Sequence, residues 1–420
     1  MSARLAAFDG CGIELEYMIV DRVSLDVVPI ADRLLADIAG EVVEEAITGE
    51  LGVSNELALH VIEVKNPFPA RFLPSLVAPF KDETQRLDEV LASYGARLLG
   101  TGMHPWMNPR EETRLWPHAG APIYQSYDAI FDCRRHGWSN IQSMHINLPF
   151  ANDEEFERLH AAVRLVLPLV PALAASSPLV EGASTGYLDY RLVAYRDHQS
   201  LYPETVGSVI PETVRSEAEY RERILEPMYQ SIAPEDQAGV LQNEWLNARG
   251  AIPRFDRGAI EIRLADTQEC PIADLAIAGA IVGAVEAIYR ERWGDLAAQQ
   301  AISTSSLDTI LRACVRDADH AQIDDPTILR AWGASRTRAT ARDVWSWWMA
   351  NIDPGPWGGV WETLLAEGPL GRRILRALDH EDSASRIRDV YGELGRCLDE
   401  GMIFREAFSR SPLAAHALQG

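Results

Sequence analysis

Cysteine is scarce and spaced for nothing in particular. The chain of 420 residues holds five, Cys11, Cys133, Cys270, Cys314 and Cys397. An odd total without C-x-x-C pairs argues against a disulfide framework and against a zinc or redox motif. The five read as buried, reduced thiols of a cytoplasmic protein. Long apolar runs are missing as well. Leu165–Val180 is cut by Pro168, Pro171 and Pro178, and Leu275–Val285 ends at Glu286. Neither supplies the roughly 18 residues of a membrane span. The first ten residues hold one Arg and no apolar stretch, which does not read as a signal peptide. Basic charge is in short supply: 39 Lys and Arg face 62 Asp and Glu, a formal net charge of −23. That balance offers no basic footprint for nucleic acid and no polybasic patch for a membrane surface. Internal repeats, low-complexity linkers, a Walker A motif and a G-x-G-x-x-G motif are all lacking. What remains is 47% hydrophobic with eleven Trp, which excludes disorder and gives ample material for a core.

The character of the chain changes once, near residue 270. Before it, short strand-like runs alternate with helical stretches. Cys11–Val20, Glu56–Val64, Ser143–Leu148 and Ala259–Ala265 are the four main candidate strands, with Arg97–Gly100 and Leu192–Tyr195 as weaker ones. Leu76–Tyr94, Asp153–Leu167 and Ala218–Met228 read as helices between them. Asp153–Leu167 opens on an acidic turn and repeats apolar residues on one face. After residue 270 the pattern is nearly all helical. Pro271 suits a first helical position, and the run to Tyr289 reads as a buried helix. Leu307–Ala318, Ala339–Ala350 and Ser383–Leu398 follow. Trp345, Trp347, Trp348, Trp357 and Trp361 in this part read as packing residues. The expected fold is α+β: a body over residues 1–295 and a C-terminal helical layer, 296–420, packed on it as one unit.

Acids on strands are disfavoured, yet three of the candidate strands carry Glu and a fourth carries His. In GIELEY, Glu14 and Glu16 share one face while Ile13, Leu15 and Tyr17 take the other. In MHINL, His145 and Asn147 share a face. In AIEIRL, Glu261 and Arg263 do. Glu56 and Glu63 stand seven apart, so they converge only if Glu56 lies in a turn before the strand or a bulge intervenes. Each pattern alone is an ordinary solvated face or ion pair. Together they would put up to five carboxylates and one imidazole on one surface, where like charges either take up protons or hold cations. Oxygen-rich ligation of this kind suits Mg²⁺ or Mn²⁺. Such ions commonly serve phosphate chains, and Arg263 would suit a transferring phosphoryl group.

Gly12-Ile13-Glu14-Leu15-Glu16-Tyr17 resembles the first metal-binding strand of carboxylate–amine ligases of the glutamate–cysteine ligase type 2 family. Asn55-Glu56 through Ile62-Glu63 resembles the family's second motif. Further matches follow in the family's order. They are Gly102-Met103-His104-Pro105-Trp106, Met144-His145-Ile146-Asn147, Ser176-Ser177-Pro178, Thr185-Gly186-Tyr187 with Arg191, and Gly258-Ala259-Ile260-Glu261-Ile262-Arg263 with Asp266. They span residues 12–266, about 60% of the chain. The resemblance implies a glutamine synthetase/guanidino kinase-like curved antiparallel sheet with flanking helices. It implies two or more Mg²⁺ (or Mn²⁺) ions, one held by Glu16, Glu56 and Glu63 and another by Glu14, His145 and Glu261. Arg263 would face the transferred phosphate. Arg249, Arg254 and Arg257 compete for a second phosphate contact, with Arg254 the first choice for ATP. Asn147 and Arg191 would bind the substrate, Arg191 through a carboxylate, and a homodimer is the family's expectation. His104 can be structural or functional.

The activity so implied is ATP-dependent amide formation between the glutamate γ-carboxylate and an amine, through an acyl phosphate. Cysteine is the first expected amine, giving γ-glutamylcysteine for glutathione biosynthesis; other amino acids or amines stay open. The partners are then small molecules: ATP, glutamate and an amine. A phosphotransferase of the guanidino type would give one phosphorylated product and no amide, and its cysteine-centred motif is missing. A non-catalytic nucleotide-binding regulator would have lost metal ligands, and here all six positions are filled.

Overall fold

The computed structural model describes residues 4–405. Alternation of apolar and polar side chains builds an eight-stranded antiparallel sheet: β1 (Gly12–Asp21), β2 (Glu45–Thr48), β3 (Leu51–Asn55), β4 (Val61–Lys65), β5 (Ala96–Leu99), β6 (Ser143–Pro149), β7 (Ala251–Arg254) and β8 (Ala259–Asp266). The order is β2-β3-β4-β1-β6-β8-β7, and β5 pairs with the last four residues of β1. The odd-numbered face of β1, Ile13, Leu15, Tyr17 and Ile19, is wholly buried. The opposite, even-numbered face carries the acids.

Three helices cover the apolar side. Val77–Ala92 packs on β5 and also touches Pro271–Tyr289, which in turn packs on Asp153–Val166. Asn152 caps the last of these, its side chain accepting the Glu155 N–H at 3.0 Å. Pro271 occupies the first turn of its helix, as expected. Pro271–Tyr289 has the length and composition to cross a membrane, but 67% of its most apolar window is buried inside the fold. It is a core helix, apolar on most sides because most of it is covered.

The helices after residue 296 attach through tryptophans whose ring N–H groups reach backbone carbonyls of the body. Trp332 donates to Leu165 at 3.1 Å, Trp345 to Leu169 at 2.8 Å and Trp361 to Ala276 at 2.8 Å. Trp345, Trp348, Trp357 and Trp361 are buried and Trp347 packs beside them, so this is packing and not an open stacking platform. All five cysteines are buried and unpaired. Burial alone pushes the Cys11 thiol up to about 12, which suits a small core side chain.

Two expectations are corrected. Leu192–Tyr195 is not a strand but part of the helix Tyr190–Asp197; Asp189 caps it, accepting the Leu192 N–H at 3.0 Å. The candidate strand Glu56–Val64 begins only at Val61. The hairpin β2–β3, closed by Gly49 at φ 63°, carries no sharp alternation and went unread.

Candidate active site

Register brings the acids together. Glu16 lies opposite Glu63 across β1–β4, and Ser54 of β3 lies opposite Glu63 on its other side. Glu14 lies opposite Lys65 on one side and His145 on the other. Gly12, Asn147 and Glu261 form the next row. Since side chains alternate, all of these point to one face. Glu56 sits in the turn between β3 and β4, the arrangement that lets a pair seven apart converge. Gly12 keeps the row close: a Cβ there would come within 3.1 Å of the Asn147 Cβ, tighter than ordinary van der Waals contact.

The face opens into a cavity of about 430 Å³. Two groups of three side chains have ligand atoms within 4.8 Å of one another: Glu16, Glu56 and Glu63; and Glu14, Glu63 and His145. The first is the set expected. In the second, Glu63 takes the place expected for Glu261. Glu261 is one strand further over and is held by arginines: Arg254 Nη1 donates to it at 3.2 Å and Arg263 Nε at 3.1 Å.

Glu14, Glu16 and Glu63 each have a few donors. His145 Nδ1 is 3.0 Å from Glu14, whose other oxygen accepts from Asn147 at 3.1 Å. Ser143 N–H donates to Glu16 at 2.6 Å. Lys65 and Ser54 donate to Glu63 at 2.9 and 3.0 Å. Yet negative charge exceeds positive. Two ionised carboxylates 4.8 Å apart repel by about 3.5 kcal/mol at an effective dielectric constant of about 20, enough to move a titration by two to three pH units. Burial and the Glu14 charge push Glu63 up to about 7, despite Lys65. Burial, Glu16 and Glu63 push Glu56 well above the carboxylate range. Burial works against His145⁺, but Glu14, Glu16 and Glu261 raise it to about 9. The same His145 contact, helped by Lys65, overcomes burial and holds Glu14 below its usual range. Protons are standing where cations would relieve the repulsion, and an all-oxygen set with one imidazole fits Mg²⁺ or Mn²⁺.

The structure separates the remaining expected residues. Arg263 and Arg254 line the cavity. Arg257 lines it too, exposed and, among the described residues, without an ion pair. Arg249 is buried against Glu212 at 2.6 Å and does not line it. Asn147 acts on Glu14 and is not on the cavity wall. Arg191 reaches the wall, but Asp266 and the Leu264 carbonyl, at 2.7 Å, take the donors that a substrate carboxylate would need. Its contact is a buried structural pair. Ser176 N–H and Ser177 Oγ donate to the same Asp266 at 2.8 and 2.7 Å, and Gly102 leaves room for it: a Cβ there would touch its carboxyl carbon. Three scattered motifs thus converge on the base of β8. His104 is structural. Its Nε2 is 2.8 Å from the Leu25 carbonyl, so that nitrogen carries the proton and Nδ1 accepts the Met107 N–H at 3.0 Å.

Sequence reading missed Lys65, although its position two residues after Glu63 puts it on the same face. It also missed an aromatic wall formed by Tyr127, Trp138 and Trp245, for which no local pattern exists.

Residues 11–345 match the family described as Glutamate-cysteine ligase family 2. An uncharacterized protein of Archaeoglobus fulgidus is 35% identical over 401 residues, 94% of this chain and 99% of its own. A protein of Bradyrhizobium diazoefficiens, provisionally named glutamate–cysteine ligase 2, is 28% identical over 274 residues, 64% of this chain and 56% of its own. Among solved structures, a glutamate–cysteine ligase of Francisella tularensis has a TM-score of 0.62 at 11% identity, covering 93% of this chain and 88% of that one. A bifunctional glutathione synthetase of Pasteurella multocida has a TM-score of 0.51 at 12% identity, covering 92% and 52%. At such identities the structural likeness speaks to the fold alone. Sheet, acidic face and relatives together define an ATP-dependent carboxylate–amine ligase. Within that class, the chain belongs to glutamate–cysteine ligase family 2.

Proposed function

We propose that the protein joins the γ-carboxylate of glutamate to an amine at the expense of ATP, through an acyl phosphate; cysteine is the amine the family name suggests. The observation that carries this is the pair of overlapping ligand groups, Glu16–Glu56–Glu63 and Glu14–Glu63–His145, on one face of the sheet. Each would hold a divalent cation, with Glu63 shared. When bound, such cations neutralise a phosphate chain and polarise its terminal phosphorus.

The chain's own residues do the rest by charge and alignment. Ser143 and Asn147 fix Glu16 and Glu14 in place. Glu261 holds Arg254 and Arg263 at the cavity wall, where both would meet the transferred phosphoryl group. A substrate carboxylate oxygen forms a bond to the γ-phosphorus as the bond to ADP breaks. The amine nitrogen then attacks the acyl carbon, the carbon–oxygen bond to phosphate breaks, and the amine proton leaves with phosphate. His145, protonated without a cation, must lose its proton to ligate, so cation binding releases protons.

The test is ADP release with glutamate and a panel of amines, with and without Mg²⁺, and mass spectrometry of the product. A Mg²⁺-dependent amide is expected. If no carboxylate–amine pair releases ADP, the proposal falls.

A further inference from the structure

The wall opposite the acids is aromatic and apolar. Tyr127 contacts Trp138 and Trp245 with ring centroids 4.9 and 5.7 Å apart, and Trp138 contacts His198 at 4.7 Å. One polar atom on this wall, Gln199 Oε1, is buried and among the described residues has no hydrogen-bond partner, in a residue only 3% exposed that lines the cavity. An orphaned buried acceptor costs stability unless a ligand supplies the donor. Cations free of an acid are few: of the five Lys and Arg side chains lining the cavity, Lys65, Arg191, Arg254 and Arg263 are paired with acids, and among the described residues Arg257 alone is not.

The wall sits at the reacting end of the site. Tyr127 and His198 both feel the charge of Arg263, and Tyr124 that of Glu56.

From this we infer that the acceptor is an aryl-bearing primary alkylamine without a carboxylate, its ring on Trp245 and Tyr127 and an N–H donated to Gln199 Oε1. The inference rests on the ligase reading above and departs from it on the amine. Once the ammonium has given up a proton, an N–H held by Gln199 leaves the nitrogen lone pair free to attack the acyl carbon. Flat ring faces stack without needing a charge, and a site built to accept an N–H discriminates against molecules that cannot offer one.

The experiment has two arms. In the first, the full-length protein with ATP, Mg²⁺ and glutamate is given hydroxylamine, which traps an acyl phosphate as a hydroxamate. No hydroxamate would overturn the ligase reading and this inference with it. In the second, phenethylamine, butylamine and cysteine are compared as acceptors. A kcat/KM at least tenfold higher for phenethylamine than for cysteine is expected. A preference for cysteine, or none, while hydroxamate forms, would overturn the inference alone. Gln199→Leu and Trp245→Ala should each raise the KM for phenethylamine about tenfold, with Trp245→Phe restoring most of the loss. A rise in the KM for ATP instead would assign the wall to the nucleobase and sink the proposal.

Discussion

Asp266→Ala removes one half of an ion pair whose side chains are 0% and 1% exposed. It strands the Arg191 guanidinium, the Ser176 N–H and the Ser177 hydroxyl. Breaking one side of a buried pair costs about 3–5 kcal/mol, and an unsatisfied buried N–H about 1–3 more; since such terms overlap, we expect a total near 5 kcal/mol. That is a large share of the 5–15 kcal/mol typical of folded proteins. Urea titration followed by tryptophan fluorescence would read it as a lower midpoint. Adding Arg191→Met removes the stranded charge, so the double variant should recover roughly half of the loss. Arg191→Met alone should lower stability along with kcat, because Arg191 also holds the Leu264 carbonyl on the strand that bears Glu261 and Arg263. If Asp266→Ala costs under about 1 kcal/mol, or the two losses simply add, the pair is not the support described. A raised KM for glutamate with intact stability would return Arg191 to the role of substrate ligand.

Glu63→Gln removes the carboxylate common to both ligand groups, so Mn²⁺ binding by electron paramagnetic resonance and ADP formation should both fall at least a hundredfold; retention of either would dissolve the shared-ligand geometry. His160 is buried between Phe156 and Tyr220, among the described residues neither ring nitrogen has a hydrogen-bond partner, and burial depresses it from 6.5 to about 3. Its folded form refuses a proton that the unfolded chain takes up below pH 6.5, so its contribution is intact above that pH and is lost on acidification toward 3. His160→Leu should therefore gain on the wild type by about 1.4 kcal/mol per pH unit below 6.5, near 3 kcal/mol at pH 4.5; a difference independent of pH would refute this. Trp345→Ala empties a fully buried site and frees the Leu169 carbonyl, and a loss of about 3–5 kcal/mol is expected in denaturant titration.

Residues repeating at a period of two were the most legible. GIELEY, MHINL and AIEIRL announced their strands and both faces, because a half-buried strand must alternate. Glu56 could be placed only as an alternative, since its position depends on a turn that no spacing fixes. Leu192–Tyr195 misled because four residues do not separate strand from helix; the signal that decides it, Asp189 as a cap, lies three residues earlier. Asp266, Arg191, Ser177 and Gly102 were visible as motifs, but their joint purpose is a contact across some ninety residues of chain. Tyr127, Trp138, Gln199 and Trp245 carried no pattern, because side chains that meet only through tertiary packing leave no trace in local periodicity.

The ladder of β1, β4 and β6 works as a reading frame. One residue inserted within Gly12–Tyr17 would turn Glu14 and Glu16 into the core and present Ile13 and Leu15 to the cavity, erasing two acids in a single event. The strands can thus change by substitution and hardly at all by length. The aromatic groups assigned above to the amine lie instead on short helices between the strands, and Gln199 just beyond one, all outside the ladder whose register fixes the acids. Such a layout lets descent alter the acceptor while the phosphate-handling face stays in frame.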